Sequence, residues 1–398
     1  MIIRSPHSEA SQREPTWLPA LVFFDLLFMP RMLFAFGIPL SLLFVMLSMH
    51  KLRYRGHGVI LMLLLASSMF ASVAAGIMMG SNIAPSDSFK RALQLITILF
   101  YAFYCFDALA LRPALVKVLR AFFVYVFCAL LLFYFDSDLY ESLFARFYPE
   151  AIDELQSNIV NARFAFFFSD PNSTAYYTCF ALVGYLSLEQ SRRWMFICAV
   201  LAAIIVVTTQ SRGGYIALLL IYAHLLYTSQ ASLRTKLRVV LFVAMAAMSL
   251  AALYSEEISL AYTVFESRFD QEDDLGGGRA GKYGYFLQNI NLLPFGSGYY
   301  LLRDGIEFRP HSDLIRLNLA YGLLALPILL FFVFPRRRSQ ALLFVVFLIP
   351  FLINTVVDDY RLLGMYLLLY TLLGQLDAPM RTPRSGPSTI PIQRRAAT

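Results

Sequence analysis

Residues 194–228 read WMFICAVLAAIIVVTTQSRGGYIALLLIYAHLLYT. An apolar block runs to Thr209, a turn at Gln210 to Gly214 carries the polar residues, and a second apolar block follows at once. Each block approaches the roughly 20 residues that a helix needs to cross a bilayer, so the stretch predicts a transmembrane helical hairpin. Blocks of the same kind recur on both sides of it, from Trp17 to Leu376. The composition agrees: 59% of the 398 residues are apolar and 15% charged, against about half and about a quarter in a soluble domain. Mean hydropathy is +0.62. A soluble globular chain is excluded, and the fold class expected is an all-α polytopic transmembrane bundle.

The net charge of +7 reports topology in such a chain before it reports partners. Basic links fall at Lys51, Arg53 and Arg55; at Arg112, Lys117 and Arg120; at Arg192 and Arg193; at Arg234, Lys236 and Arg238; and at Arg336, Arg337 and Arg338. The positive-inside rule places these in the cytoplasm. Acidic or mixed links alternate with them: 81–88, 136–163, the 210–214 turn, 255–313 and 358–361. Spans are then expected near 58–79, 89–110, 118–135, 164–188, 194–209, 214–228, 238–254, 314–334, 340–357 and 361–376. Trp17 to Met49 is long for one span and is broken at Pro30-Arg31, which gives two spans and about twelve in all; one tilted span would give about eleven. Residues 1–16 form a cytoplasmic arm without a signal peptide, 17–376 the transmembrane domain, and the Pro- and Arg-rich 377–398 a disordered cytoplasmic tail.

The four cysteines lie inside apolar blocks and read as small hydrophobes. There is no HExxH, His/Cys cluster, Walker loop or GxSxG, so no metal or cofactor is expected, and no feature points to nucleic acid. Asp136-Ser137-Asp138 and Asp358-Asp359 read as solvated acidic faces.

More informative are cations on the outer side: Lys90, Arg91, Arg163, Arg212, Arg279, Lys282, Arg309 and Arg361. An arginine drawn into the bilayer costs roughly 2.5–3.5 kcal/mol, so it snorkels to the headgroups, pairs with a loop acid such as Glu256, Asp273 or Asp358, or binds an anion. Its planar fork fits phosphate oxygens. Arg212 is the sharpest case, since a merely structural turn needs Gly213 and Gly214 for a tight backbone but not the charge. Of five histidines only His311 lies on the outer side, in Arg309-Pro310-His311-Ser312-Asp313, where Ser312 or Asp313 is placed to cap the next helix. A neutral imidazole there can take a proton from a sugar hydroxyl, and its position fits a hydrogen-bonded loop histidine equally well. Before it, Gly276-Gly277-Gly278 forms a hinge, and the spacing of Arg279, Lys282, Tyr283, Phe286, Leu287 and Ile290 predicts a short amphipathic helix that Pro294-Phe295-Gly296-Ser297-Gly298 ends. Tyr299 and Tyr300 are suited to stacking on sugar rings and equally to an ordinary aromatic position at the membrane interface.

Three signatures in order resemble the O-antigen ligase and O-antigen polymerase superfamily of membrane glycosyltransferases. They are Arg163 with Asp170-Pro171-Asn172; Ser211-Arg212-Gly213-Gly214; and Arg279, Pro294 to Gly298, then His311 opening a helix with Tyr321-Gly322-Leu323-Leu324. The family often has His-Asn where this chain has His311-Ser312. The resemblance implies a GT-C-like bundle in the bacterial inner membrane, acting on the periplasmic side. The donor would be a glycan on undecaprenyl diphosphate; the acceptor would be lipid A-core for a ligase or a lipid-linked repeat unit for a polymerase. Carried over by motif, Arg212 and Arg279 grip the diphosphate and His311 serves the acceptor hydroxyl as the catalytic set. The same resemblance implies that Arg163, Asn172, Ser211, Gly213, Lys282 and Arg309 would bind substrate, that no metal would take part, and that the configuration would invert. Polysaccharide-assembly proteins are further partners. The competing reading is a secondary transporter or flippase with Pro30, Pro171 and Pro327 in broken helices.

Overall fold

The computed structural model describes residues 17–28, 40–47, 52, 56–80, 84–104, 106–145, 152–166, 170–230, 232, 234, 236, 238, 279–299, 302, 303, 306, 307, 310–357 and 359–377. They are largely helical. In chain order they form α1 (Trp17–Phe28), α2 (Leu40–Leu47), α3 (Gly56–Met78), α4 (Pro85–Ile98), α5 (Ala108–Phe135), α6 (Ser137–Ala145), α7 (Ile152–Val160) and α8 (Pro171–Leu188). There follow α9 (Arg192–Thr208), α10 (Arg212–Thr228), α11 (Arg279–Gln288), α12 (Asp313–Tyr321), α13 (Ala325–Val333), α14 (Arg338–Ile353) and α15 (Tyr360–Leu376). A 3-10 turn, Leu99–Phe103, follows α4, and a small antiparallel ribbon pairs β1 (Leu302–Arg303) with β2 (Ile306–Glu307).

Two helices form the centre. α8 is buried on every side from Ser173 to Tyr185, and α15 from Tyr360 to Tyr370. Both carry polar groups that lipid would not solvate, Ser173, Thr174 and Thr178 on α8 and Arg361 on α15, so they face the bundle interior. The two pack on each other, α8 also touching α5, α9, α10 and α14, and α15 touching α1, α4, α5 and α14. Gly184 permits the approach: a Cβ there would lie 2.5 Å from Leu369 Cδ2.

At the periphery α3 and α5 are long and apolar enough to cross a membrane. At 1.5 Å per residue α3 spans about 34 Å, against a hydrocarbon core of about 30 Å. It leaves Ile60, Leu63, Leu64 and Ile77 exposed, as a lipid-facing surface does. Residues 239–254 of the expected span at 238–254, residues 1–16 and 378–398, and the Pro30-Arg31 break lie outside the described residues. On either side of that break are two short helices, α1 and α2.

Several boundaries differ from expectation, each for a local reason. The basic link expected between spans 89–110 and 118–135 is helical, because α5 begins at Ala108 and carries Arg112, Lys117 and Arg120. The chain turns earlier, at Asp107, whose carboxylate accepts from the amides of Leu109 and Ala110, both at 3.0 Å. The acidic segment 136–163 contains α6 and α7. α8 starts at Pro171 rather than near 164, since Asp170 caps it and proline suits the first helical position.

The expected span 314–334 is broken into α12 and α13. At the break Gly322 has φ +87°, and a Cβ on it would lie 2.6 Å from Leu293 O and Phe295 N. The Leu293 to Gly298 segment sits in this gap: Leu323 N donates to Leu293 O (2.8 Å) and Gly298 N to Ala320 O (2.9 Å). Ser68 Oγ of α3 donates to Pro294 O (2.7 Å) and Tyr321 O (2.6 Å). What the sequence presents as a loop is thus built into the bundle, and its backbone groups find partners there, as buried amides must.

A polar clamp ties α5 to the carboxyl end of α8. Glu189 accepts from Arg120 Nε (2.8 Å), from Arg120 Nη2, from Tyr185 Oη (2.7 Å) and from the amides of Gln190 (2.9 Å) and Ser191 (2.8 Å). Burial pushes its carboxyl up, but the bonds from Ser191 N, Tyr185, Arg120 and Gln190 N outweigh it and hold the group at about 2. Glu189→Ala leaves five donor groups without their acceptor and is expected to cost about 3 kcal/mol. Because the carboxyl stays ionised, the fall in Tm should be the same at pH 5 and pH 8.

Candidate functional site

The site is built at the end of the bundle where α10 and α12 begin and α14 stops. The α9–α10 turn is closed by Thr209 Oγ1, which accepts from Ser211 N (3.2 Å), and by Ser211 Oγ, which accepts from Gly214 N (3.2 Å) and so caps α10. Left-handed backbone in this turn falls on Gln210, at φ 54°. The glycines serve another purpose, close approach. A Cβ on Gly213 would lie 1.9 Å from Tyr176 Oη and 2.8 Å from Ile353 Cδ1, and one on Gly214 would lie 2.6 Å from Ala175 Cβ. α10 is thereby pressed against α8 and the end of α14. Arg212 is its first residue and is exposed, at the positive end of the helix dipole.

The Arg163 segment lies on this turn. Phe164 N donates to Thr208 O (3.0 Å), and Gln210 Nε2 reaches the carbonyls of Asn161 and Ala162, each at 3.4 Å. Asn172 is engaged locally, its Nδ2 donating to Asp170 Oδ1 at 3.0 Å in the first turn of α8.

From the other side comes the start of α12. His311 is exposed and has φ 47°. Neither neighbour caps the helix by its side chain, contrary to expectation; both tie the turn to other elements. Asp313 N donates to Asn354 O (3.2 Å), and its buried carboxylate accepts from Val356 N (2.5 Å) and Val357 N (3.0 Å). Ser312 Oγ lies 3.2 Å from Tyr283 Oη of α11, whose own proton goes to Leu352 O. The end of α14 therefore joins three separate segments: Ile353 meets Gly213, Leu352 holds α11, and Asn354 holds the His311 turn. α11 carries Arg279 one turn before Tyr283 and Lys282 beside it. Arg309 and the hinge glycines lie outside the described residues.

Backbone strain collects here. Among the described residues the non-glycine left-handed ones are Ala162 (φ 49°), Gln210 (φ 54°) and His311 (φ 47°). Each costs of order 1–3 kcal/mol, and such residues cluster where structure serves a site. Ala162 precedes Arg163, Gln210 precedes Ser211-Arg212, and the third is His311 itself.

Beside Asp313 lies a feature hard to read from sequence. Two guanidinium groups lie over the Tyr299 ring, Arg91 at 5.4 Å and Arg316 at 5.0 Å from its centroid, and Arg316 Nη1 donates to Tyr299 Oη at 3.2 Å. These side chains line a small cavity with Gln94, Asp313 and Tyr321. Arg316 escapes notice as the only charge between Asp313 and Arg336 in an apolar run; its i, i+3 relation to Asp313 was the available signal. Arg361 is buried within the bundle, its Nε 3.4 Å from Tyr360 Oη.

Burial pushes the Asp313 carboxyl up to about 7, against the lowering effect of the Val357 and Val356 amides and of Arg316. The unfolded chain releases this proton near about pH 4. The folded state thus holds an extra proton between about pH 4 and about pH 7, and stability falls as pH rises through that window. Thermal unfolding of the detergent-solubilised protein should show Tm declining from pH 5 to about 7 and level above it, and Asp313→Asn should flatten the profile. An unchanged profile in the variant would count against a raised Asp313.

Together these elements can hold a polyanion. An exposed arginine at a helix amino terminus, a second cationic helix and a histidine turn are fixed to one another by main-chain and hydroxyl bonds. No curated protein matches the chain. Residues 197–330, which contain the Ser211–Gly214 turn, α11 and the His311 turn, match the O-antigen ligase family model.

Proposed function

We propose that this protein is a multi-pass enzyme of the bacterial inner membrane that moves a glycan from undecaprenyl diphosphate to an acceptor hydroxyl on the periplasmic side. It acts as an O-antigen ligase with lipid A-core as acceptor, or as a polymerase with a lipid-linked repeat unit. The observation that carries this reading is the junction at the end of α14, where the Arg212 turn, α11 and the His311 turn meet within the segment that matches the family model.

Arg212 and Arg279 neutralise the donor diphosphate, which then leaves without a metal. The acceptor oxygen bonds to the anomeric carbon from the face opposite the diphosphate as the carbon–oxygen bond to phosphate breaks. His311 takes the hydroxyl proton, undecaprenyl diphosphate departs, and the configuration inverts. Arg163 and Lys282 add positive charge around the donor, with Arg309 in the adjoining loop. Ser211, Gly213 and Asn172 shape the backbone that presents these groups.

Glycan transfer in proteoliposomes tests the reading, with an undecaprenyl diphosphate-linked repeat unit as donor, either acceptor offered, and EDTA present. Transfer that is lost in Arg212→Ala, Arg279→Ala and His311→Ala is the expected result, and the acceptor consumed tells ligase from polymerase. No transfer by the folded protein, or retained configuration in the product, would overturn it; the first would turn attention to flux of a lipid-linked anion.

A further inference from the structure

The opposite end of the molecule holds a second, larger cavity, of about 780 Å³, within the range of small-molecule sites. α14 runs from one to the other. Arg337 precedes its first turn and Ile353 ends it, so the cavity and the α10–α12 site stand about 24 Å apart at 1.5 Å per residue. The reaction proposed above uses none of its residues.

Its walls are apolar and its rim is cationic. Ile60 and Leu61 of α3, Phe103 of the 3-10 turn and Phe331 and Phe332 of α13 make the walls, and Arg336, Arg337 and His57 stand around them. The rim is held in place. Gln340 Oε1 accepts from the amides of Arg336 (2.9 Å) and Arg337 (3.0 Å), while its Nε2 donates to Tyr370 O of α15 (2.8 Å). The Arg336 guanidinium lies 4.7 Å from the Phe331 ring centroid, so charge and apolar wall adjoin. No acidic residue is among the described lining residues. The nearby Asp377 is turned to Ser339 N, 3.2 Å away.

A soluble anion has no use for aromatic walls, and a neutral lipid has no use for two arginines. Ile60 is 58% exposed on the outer face of α3, one of two helices among the described residues long and apolar enough to cross a membrane, so the cavity adjoins lipid. The basic links read from the sequence put this end at the cytoplasmic leaflet, which carries anionic lipid. We infer that the cavity is a binding site for an anionic glycerophospholipid, whose acyl chain lies along Phe331 and Phe332 and whose phosphate is held by Arg336 and Arg337. It is independent of the glycan-transfer reading and survives that reading's failure.

Native mass spectrometry of the full chain, released from bilayers of equimolar phosphatidylglycerol and phosphatidylcholine with matched chains, tests it. Each arginine near the surface contributes about a factor of five, so retention of phosphatidylglycerol should exceed that of phosphatidylcholine about 25-fold. Arg336→Gln/Arg337→Gln should bring the two to parity, and Arg336→Lys/Arg337→Lys should restore most of the preference in a protein of the same oligomeric state. Equal retention by the unaltered protein would overturn the inference whatever the variants do. So would a preference that survives the double glutamine change and disappears on deleting 378–398, since it would then belong to the arginines of the tail.

Discussion

Arg212→Ala is expected to lower the turnover rate of glycan transfer about 100- to 1,000-fold, the usual loss when a fixed donor to a developing negative charge is removed. The argument rests on how the residue is held. Arg212 opens α10 on a turn with both ends secured: Ser211 Oγ caps the helix, and Phe164 N and Gln210 Nε2 bind the turn to the Arg163 segment. Gly213 and Gly214 allow α10 to press against Tyr176, Ala175 and Ile353. A guanidinium on such a base loses little freedom when it meets a phosphate, and the helix dipole adds to its charge. Arg212→Lys keeps the charge but loses the two-pronged geometry, and should recover only part of the activity. Because Arg212 is exposed, neither change should move Tm by more than about 1 °C. Rates with a lipid-linked donor, alongside thermal unfolding, separate the possibilities. A loss of rate matched by a loss of stability would mean that Arg212 holds the turn and does not act on the donor.

The second large effect is structural. Gly296→Ala is expected to cost about 2–4 kcal/mol and to abolish transfer. Its amide donates to Ser72 Oγ of α3 at 2.8 Å, and Ser72 in turn donates to Ser68 O at 2.6 Å. A Cβ at 296 would lie 2.3 Å from Leu319 O and 2.5 Å from Ala320 O. These are main-chain atoms of α12 and cannot swing aside as a side chain does. Either the inserted segment leaves the bundle or α12 shifts, and α12 begins with the Asp313 that holds the His311 turn. Gly284→Ala is the matched control, since a Cβ there meets nothing within 4 Å, and alanine favours the helix it occupies. Equal melting temperatures for the two variants would show that the inserted segment does not hold α12.

How much of this was legible in the sequence depends on the distance over which each property acts. Helix content and the apolar class follow from composition and block length, which are local. The Arg212 turn, the amphipathic helix at 279–288 and the helix start after His311 were legible for the same reason, each being set by a few adjacent residues. Boundaries moved where a single cap decides them, as Asp107 and Asp170 do for α5 and α8. The break at Gly322 was harder, because nothing in Tyr321-Gly322-Leu323-Leu324 says that Pro294 to Gly298 will occupy it. Likewise the meeting of Arg91 and Arg316 at the Tyr299 ring brings together residues more than two hundred positions apart in the chain.

The sequence by itself determined that the chain is an apolar helical protein with segregated charge, and which cations and which histidine stand out from that pattern. Only the tertiary structure decided that the end of α14 gathers the Arg212, Tyr283 and His311 segments, that Asp313 is buried and its carboxyl pushed up, and that Arg336 and Arg337 border an apolar cavity. Helix formation is settled within a few turns of chain. Close packing at Gly213 and Gly296, and burial of a carboxylate against distant amides, exist only once remote segments have met.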